Sequence, residues 1–251
     1  MSTLRRFLNM NRNLCRRIES YLPQAKINIF ALYEMEVARR VNSGSEQIVV
    51  DVGGGKSCRF AGRKDPAMKP KIIAVDISEE EMKHNHDVDE KRVANITRGL
   101  PFGIEEVDLI VSTSVLEHLE DVEAFVSNTK ENLRKGGYSI HLFPSKFAPF
   151  ALINQALPKR LSRRLLYFLL PESKGICGFP AFYDNCYYSA IEALLQRHGF
   201  EIVKTYLGYY QSPYFGFFFP LFIASAFYEI LVQSFGVKNL CAYVLVVARK
   251  G

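Results

Sequence analysis

No cysteine pair in this chain has the spacing of a metal site. Cys15, Cys58, Cys177, Cys186 and Cys241 form an odd, scattered set. That excludes a zinc ribbon and argues against a disulfide framework, and it fits a reducing compartment. A signal-peptide pattern is also missing. The first 22 residues are broken by Arg5, Arg6, Arg12, Arg16 and Arg17, which leaves no continuous apolar core. Internal repeats and low-complexity tracts are absent. What remains is an ordinary globular sequence, expected in the cytoplasm. With 251 residues and 48% apolar content it can bury a full core. One domain over residues 1–251 is expected.

Positive charge is concentrated in two places. Residues 1–22 carry the five arginines against Glu19. Residues 146–174 carry Lys146, Lys159, Arg160, Arg163, Arg164 and Lys174 against Glu172. Those segments exceed the whole chain's formal charge of +6, so the rest is net acidic. Local basic excess on apolar-faced helices suits an anionic surface. It also suits two solvated helix faces. Nucleic acid is not expected, because no RNA-binding motif accompanies the charge.

Leu4, Phe7, Leu8, Leu14, Ile18 and Leu22 recur at helical spacing, and Asn28 to Val41 reads as a second helix. Residues 1–45 are thus helical. The rhythm then changes to short apolar runs at 47–52, 71–76, 107–112 and 138–143, with helical stretches between them, notably 122–134. Such runs are strands buried on both faces, and the alternation predicts a parallel sheet. A helix at 187–198 and strands at 200–207 and 241–248 follow. Two segments interrupt this pattern, residues 144–186 and 208–239.

Asp51-Val52-Gly53-Gly54-Gly55-Lys56-Ser57 lies where a strand hands over to a helix. Glycines there allow a tight turn and close approach of a ligand. Asp76 ends the next strand, where a carboxylate accepts ribose hydroxyls. NAD and S-adenosylmethionine both satisfy that pattern. The third glycine of the dinucleotide fingerprint is absent, however, and Cys58 stands in its place. Asp51 also disfavours a pyrophosphate and suits an ammonium or sulfonium. The alternative is that it serves only the loop's own amides.

Val49 to Gly55, Asp76, Leu100-Pro101-Phe102, Val107 to Ser112, Val115-Leu116-Glu117-His118-Leu119 and Leu133 to Tyr138 together resemble the class I methyltransferases. The likeness is to the small-molecule group related to the ubiquinone and menaquinone enzymes, and it spans residues 46–145. The resemblance implies an α/β fold: a Rossmann-like, doubly wound, seven-stranded, mostly parallel sheet with an antiparallel last strand and lid insertions. It implies S-adenosyl-L-methionine as cofactor. Asp51, Gly53, Gly54 and Gly55 would line its methionine end, with Ser112 beside it. Asp76 and Ile77 would hold the ribose and flank the adenine. Asn95-Ile96 falls where the group has an acid for the adenine amine. Asp108 would be structural.

A sulfonium methyl is already activated, so the enzyme must align a nucleophile and exclude water. His118 is the first candidate for a general base, because histidine titrates in the useful range. The pair Glu117-His118 reads otherwise as a helix cap. His141 lies within a strand and Tyr183 and Asp184 lie in the first insertion; all three are further candidates. Glu117 and His118 alone do not make a metal site, so no metal is expected.

Both insertions should leave from the ligand-binding edge of the sheet and cover the acceptor. Residues 206–228 hold eleven Phe or Tyr, and 207–228 carry no charge. The length approaches a bilayer span, yet the flanking strands must share one sheet, and Pro213, Gly216 and Pro220 interrupt a helix. An interfacial dip, an acceptor pocket or a homodimer interface remains. Lys159 to Leu170 reads as a basic amphipathic helix suited to an anionic membrane surface, on the inner face. The expected activity is O-methylation of a sugar-containing or amphiphilic small molecule, such as a lipid-linked glycan. The alternatives are methylation of a prenylated ring or other hydrophobic metabolite, an NAD-linked oxidoreductase, and a non-catalytic cofactor-binding scaffold.

Overall fold

The structure, a computed structural model, describes residues 3–158 and 179–251. The basic stretch expected at Lys159 to Leu170, and Cys177, lie outside the described residues.

Seven strands form one sheet: β1 (Ile48–Val52), β2 (Lys71–Asp76), β3 (Glu90–Val93), β4 (Val107–Thr113), β5 (Leu133–Pro144), β6 (Phe200–Gly208) and β7 (Tyr243–Lys250). Their order is β3-β2-β1-β4-β5-β7-β6. β1 pairs in parallel with β2 and β4, β2 with β3, and β4 with β5. β7 is antiparallel to both its neighbours. The Rossmann-like sheet with an antiparallel last strand is therefore present.

Each strand alternates between two cores. Val50, Val52 and Ile110 face a core shared with α4 (Val122–Asn132) and α6 (Tyr188–Arg197). Val49, Leu109, Val111 and Ile140 face the other, built on Tyr33, Val37 and Val41 of α2 (Ile29–Val41). α2 starts where it does because the Asn28 side chain accepts hydrogen bonds from the amides of Phe30 and Ala31, both at 3.1 Å. Asp121 caps α4 in the same way through the Ala124 amide.

Three features differ from the sequence expectation. No helix links β1 to β2: the chain makes only short 3₁₀ turns at Ala61–Arg63 and Pro66–Met68, and Cys58 and Phe60 pack on the α2 side. β3 has no apolar run; its Glu-Lys-Arg-Val sequence sits at the sheet edge, where charge is tolerated and discourages further pairing. Pro220 opens a helix instead of breaking one. It lies in the first turn of α7 (Phe219–Ser234), where its missing N–H costs nothing.

α7 packs on α1 (Thr3–Glu19), with Cys15, Leu22, Phe222 and Ala226 at the contact. The buried Glu229 carboxylate ties this cap together. It accepts from the Gln211 amide (3.0 Å), Ser212 Oγ (2.5 Å), Ser225 Oγ (3.2 Å) and Gln24 Nε2 (3.2 Å). Among the described residues no helix is long and apolar enough to cross a membrane.

Candidate active site

The glycine loop leaves β1 in a conformation that side chains resist. Gly53 has φ +68°, and a Cβ there would lie 2.2 Å from Val115 Cγ2. The Gly53 amide donates to Val75 O at 2.7 Å. Asn85, 1% exposed, donates from Nδ2 to Gly54 O at 2.7 Å. Nothing in the sequence marks Asn85, which acts from the loop after α3 (Glu79–Met82). Asp76 accepts from the Gly55 amide at 3.2 Å and the Ser78 amide at 2.9 Å, one on each carboxylate oxygen. Each oxygen keeps further acceptor capacity. Ile77 beside it is exposed.

Asp51 is 7% exposed and flanked by the Cys58 thiol and the fully buried Tyr33. Burial pushes its carboxyl up to about 7, and the nearby Asp76 adds to the rise. Among the described residues no cation stands beside it. The absence of a helix after the loop removes the amide-rich N-terminus that a pyrophosphate needs. A cationic ligand therefore fits this edge, and a dinucleotide pyrophosphate does not. The Thr113 hydroxyl at the tip of β4 is buried beside the Tyr33 phenol.

Several expected site residues are turned elsewhere. His141 lies between two serines, with Ser112 Oγ 2.7 Å from Nδ1 and Ser139 Oγ 2.6 Å from Nε2. Its ring meets Phe125 edge-on, and burial lowers its pKa to about 3. It is a satisfied, neutral core histidine, not a base. Ser112 is consequently pointed into the α4-side core and not toward a ligand. The Asp184 carboxylate accepts from the Val122 amide at 3.0 Å and from Asn185, so it braces the start of α4. The Asn95 side-chain oxygen accepts from the Thr97 amide and hydroxyl, which uses the atom expected to meet an adenine. Ile96 is buried in the α4-side core. Asp108 is structural, accepting from the Ile48 amide and pairing with Arg134.

His118 and Tyr183 do converge, and they bring Glu117 with them. Ser114 at φ +56° turns the chain out of β4 into a 3₁₀ turn, Leu116–His118. The Glu117 carbonyl accepts from the amides of Phe182 (2.7 Å) and Tyr183 (3.1 Å), which fastens the end of the first insertion over it. His118 Nδ1 donates to Pro180 O at 2.9 Å, since the carbonyl can only accept. Nε2 then faces Glu117 Oε1 at 3.8 Å. Burial holds the His118 pKa below its ordinary value.

An aromatic wall stands beside this turn. Phe150, from α5 (Pro149–Ala156), stacks on Tyr214 at 4.3 Å, and Tyr243 at the head of β7 lies 5.8 Å from Phe150. The hydroxyls of Tyr214 and Tyr243 are 2.6 Å apart. Tyr243 also meets Phe30 of α2 at 5.4 Å. Phe30 is one turn from Tyr33, so the wall continues to the Asp51 end of the site.

Residues 50–141 match the family model of a methyltransferase domain. No curated protein matches the chain. Solved structures share its fold. A geranyl diphosphate C-methyltransferase from Streptomyces coelicolor is 14% identical with a TM-score of 0.54, over 88% of this chain and 76% of that one. An S-adenosylmethionine dependent methyltransferase from Mesorhizobium loti is 16% identical with a TM-score of 0.54, over 87% and 98%. Phosphoethanolamine N-methyltransferase 2 of Haemonchus contortus is 12% identical with a TM-score of 0.53, over 88% and 52%. Over residues 50–141, then, the chain matches a methyltransferase domain, and its fold is the one those solved methyltransferases share. It is an enzyme with S-adenosyl-L-methionine as its methyl donor.

Proposed function

We propose that the enzyme methylates a small amphiphilic acceptor that carries a hydrophobic, prenyl-like portion. The observation behind this reading is the wall of Phe150, Tyr214 and Tyr243, contributed by both insertions and by β7 beside the turn that follows β4. Such a surface favours an apolar body with few polar handles. Solved relatives named for geranyl diphosphate and phosphoethanolamine support a lipid-precursor or headgroup-like acceptor more than a sugar. In this reading four parts of the site divide the cofactor between them. Asp51 faces its cationic methionine end, the Gly53 to Gly55 loop its backbone-contacting side, Asp76 the ribose and Ile77 the adenine. Bound there, the cofactor supplies an electrophilic methyl. The chain's own part is to orient the acceptor and keep water out.

A hydrophobic acceptor has to reach that wall, and α1 and α7 suggest how. Phe227 is 62% and Phe235 78% exposed, and Leu221, Ile223, Ile230 and Leu231 are also exposed around α7. The adjoining α1 exposes Phe7 and Met10 beside Arg6, Arg16 and Arg17. A cleft between the two is lined by Arg12, Arg16, Pro213, Tyr214 and Phe222, so Tyr214 belongs both to the cleft and to the wall. This combination suits peripheral contact with an anionic lipid surface.

The acceptor reading is tested with methyl-labelled cofactor and three probes: a geranylated hydroxybenzoate, phosphoethanolamine and a free hexose. Label transfer to the first, and none to the hexose, is expected. Transfer to the hexose alone refutes the reading. Flotation with phosphatidylglycerol vesicles at low salt tests the membrane contact. Protein left at the bottom of the gradient rules it out.

A further inference from the structure

Glu117 is the buried group that the resemblance leaves without a task. Its side chain is 6% exposed, and Oε2 has no hydrogen-bond partner. A buried polar atom without a partner costs roughly 1–3 kcal/mol, so it needs a reason. Among the described residues its only ion-pair partner is His118, at 3.8 Å from the other oxygen. The groups around it are themselves polar. Tyr183 and Tyr243 lie close enough for its charge to raise their phenols, and it acts likewise on the Cys186 thiol. Tyr214 joins the set through its hydroxyl contact with Tyr243. The turn that presents Glu117 follows the strained Ser114 and is covered by the Phe182 and Tyr183 amides. Strain, burial and an orphaned oxygen thus coincide where the aromatic wall meets the end of β4.

We infer that Glu117, not His118, takes the proton from the acceptor's hydroxyl, with Tyr183, Tyr214 and Tyr243 orienting that hydroxyl. This rests on the acceptor reading above. In the step, an oxygen lone pair of the acceptor forms the new C–O bond to the sulfonium methyl. The C–S bond breaks and its electron pair stays on sulfur as a neutral thioether. The O–H proton moves to Glu117 Oε2. His118, neutral and fixed through Nδ1 to Pro180, is a positioning residue that turns Nε2 toward the other carboxylate oxygen. Burial lifts the Glu117 carboxyl to about 8. A base of that strength accepts a proton readily and is ionised in mildly alkaline solution.

Two measurements test this. The first is an infrared pH titration of the whole protein, taking wild type minus Glu117→Gln. One carboxyl band that disappears near pH 8 is expected. Disappearance in the ordinary carboxylate range, near pH 4–5, overturns the inference. The second is methylation of the geranylated hydroxybenzoate. Glu117→Gln should lower kcat about 100-fold or more, leave KM nearly unchanged, and abolish the acid limb of the pH profile. His118→Ala should keep that limb. A limb that survives in Glu117→Gln, or that vanishes only in His118→Ala, also overturns it. If wild type does not methylate the probe, the acceptor reading fails, and the infrared titration still decides the state of Glu117.

Discussion

Cofactor binding should release Asp51 from an unfavourable state, and that makes the affinity depend on pH. In the free protein its carboxyl sits at about 7 instead of 3.8, so it is largely protonated below neutrality. A shift of about three units corresponds to roughly 4 kcal/mol withheld from the charged form by burial. A ligand carrying an ammonium and a sulfonium interacts with the ionised form. Below pH 7, binding must then expel a proton, and the affinity falls about tenfold for each unit of pH. Between pH 7 and pH 5 the loss approaches roughly 100-fold. An α-amino group is largely charged below about pH 7 and loses less than about a factor of two in charged fraction by pH 7.5, so it does not confuse the result.

Titration calorimetry in two buffers of different ionisation heat gives both the affinity and the proton count. Asp51→Asn should bind about 100-fold more weakly at pH 7.5, and its affinity should be flat between pH 5 and 7.5. The sign for stability is opposite to that for binding. A carboxyl whose folded pKa is raised favours the folded state when protonated, so the apoprotein loses stability as pH rises from about 4 to 7. Asp51→Asn removes that slope. A wild-type affinity independent of pH from 5 to 7.5 would refute the assignment of Asp51 to a cationic ligand.

His141 gives the reverse pH signature. Its folded pKa of about 3 lies below its unfolded value, so stability falls by about 1.4 kcal/mol per unit as pH drops below 6.5. Its imidazole resonances should not titrate between pH 5 and 8. His141→Leu strands the Ser112 and Ser139 hydroxyls and should cost about 2–4 kcal/mol in urea unfolding. A titrating His141 near pH 6.5 contradicts the core assignment. Glu229→Ala leaves four donors unsatisfied in the α1–α7 cap and should cost about 2–4 kcal/mol. A loss under about 0.5 kcal/mol, the level of an ordinary surface change, means the cap does not depend on it.

The strands that carry the site were legible because both their faces are buried. Val49 to Val52 and Val107 to Val111 read as apolar runs, each broken by a single aspartate, for that reason. β3 was not, since an edge strand needs no such run. The glycine loop and Asp76 were legible as chemistry: few residue types permit that turn and that acceptor. The missing helix after the loop was not, because Cys58 and Phe60 fill its place only through tertiary packing. His141 and Ser112 look functional in sequence, but the register that puts them opposite one another on β4 and β5 turns them into a closed core pair. Glu229 did leave a signal, as the acid that ends 22 uncharged residues. Asn85 left none.

Glu117 shows why the remaining part of the site had to wait for the fold. In sequence, Glu-His after a strand is an adequate helix cap. Here the turn is only three residues long, and its N-cap position, Val115, offers no side-chain cap. The side chain points inward because residues from the first insertion, 65 positions away, close over it through their own amides. Asp51 lies near the end of β1 and Glu117 just past the end of the adjacent β4, and both are held in forms that an internal lysine or arginine would have relieved. A fold selected for stability alone gains by pairing or removing such groups. Among the described residues neither acid has a lysine or arginine beside it; Glu117 is free to take a proton from the acceptor, and Asp51 is best explained by a positive charge that arrives with the cofactor. The glycine loop alone could not distinguish a sulfonium from a pyrophosphate; the buried Asp51 does.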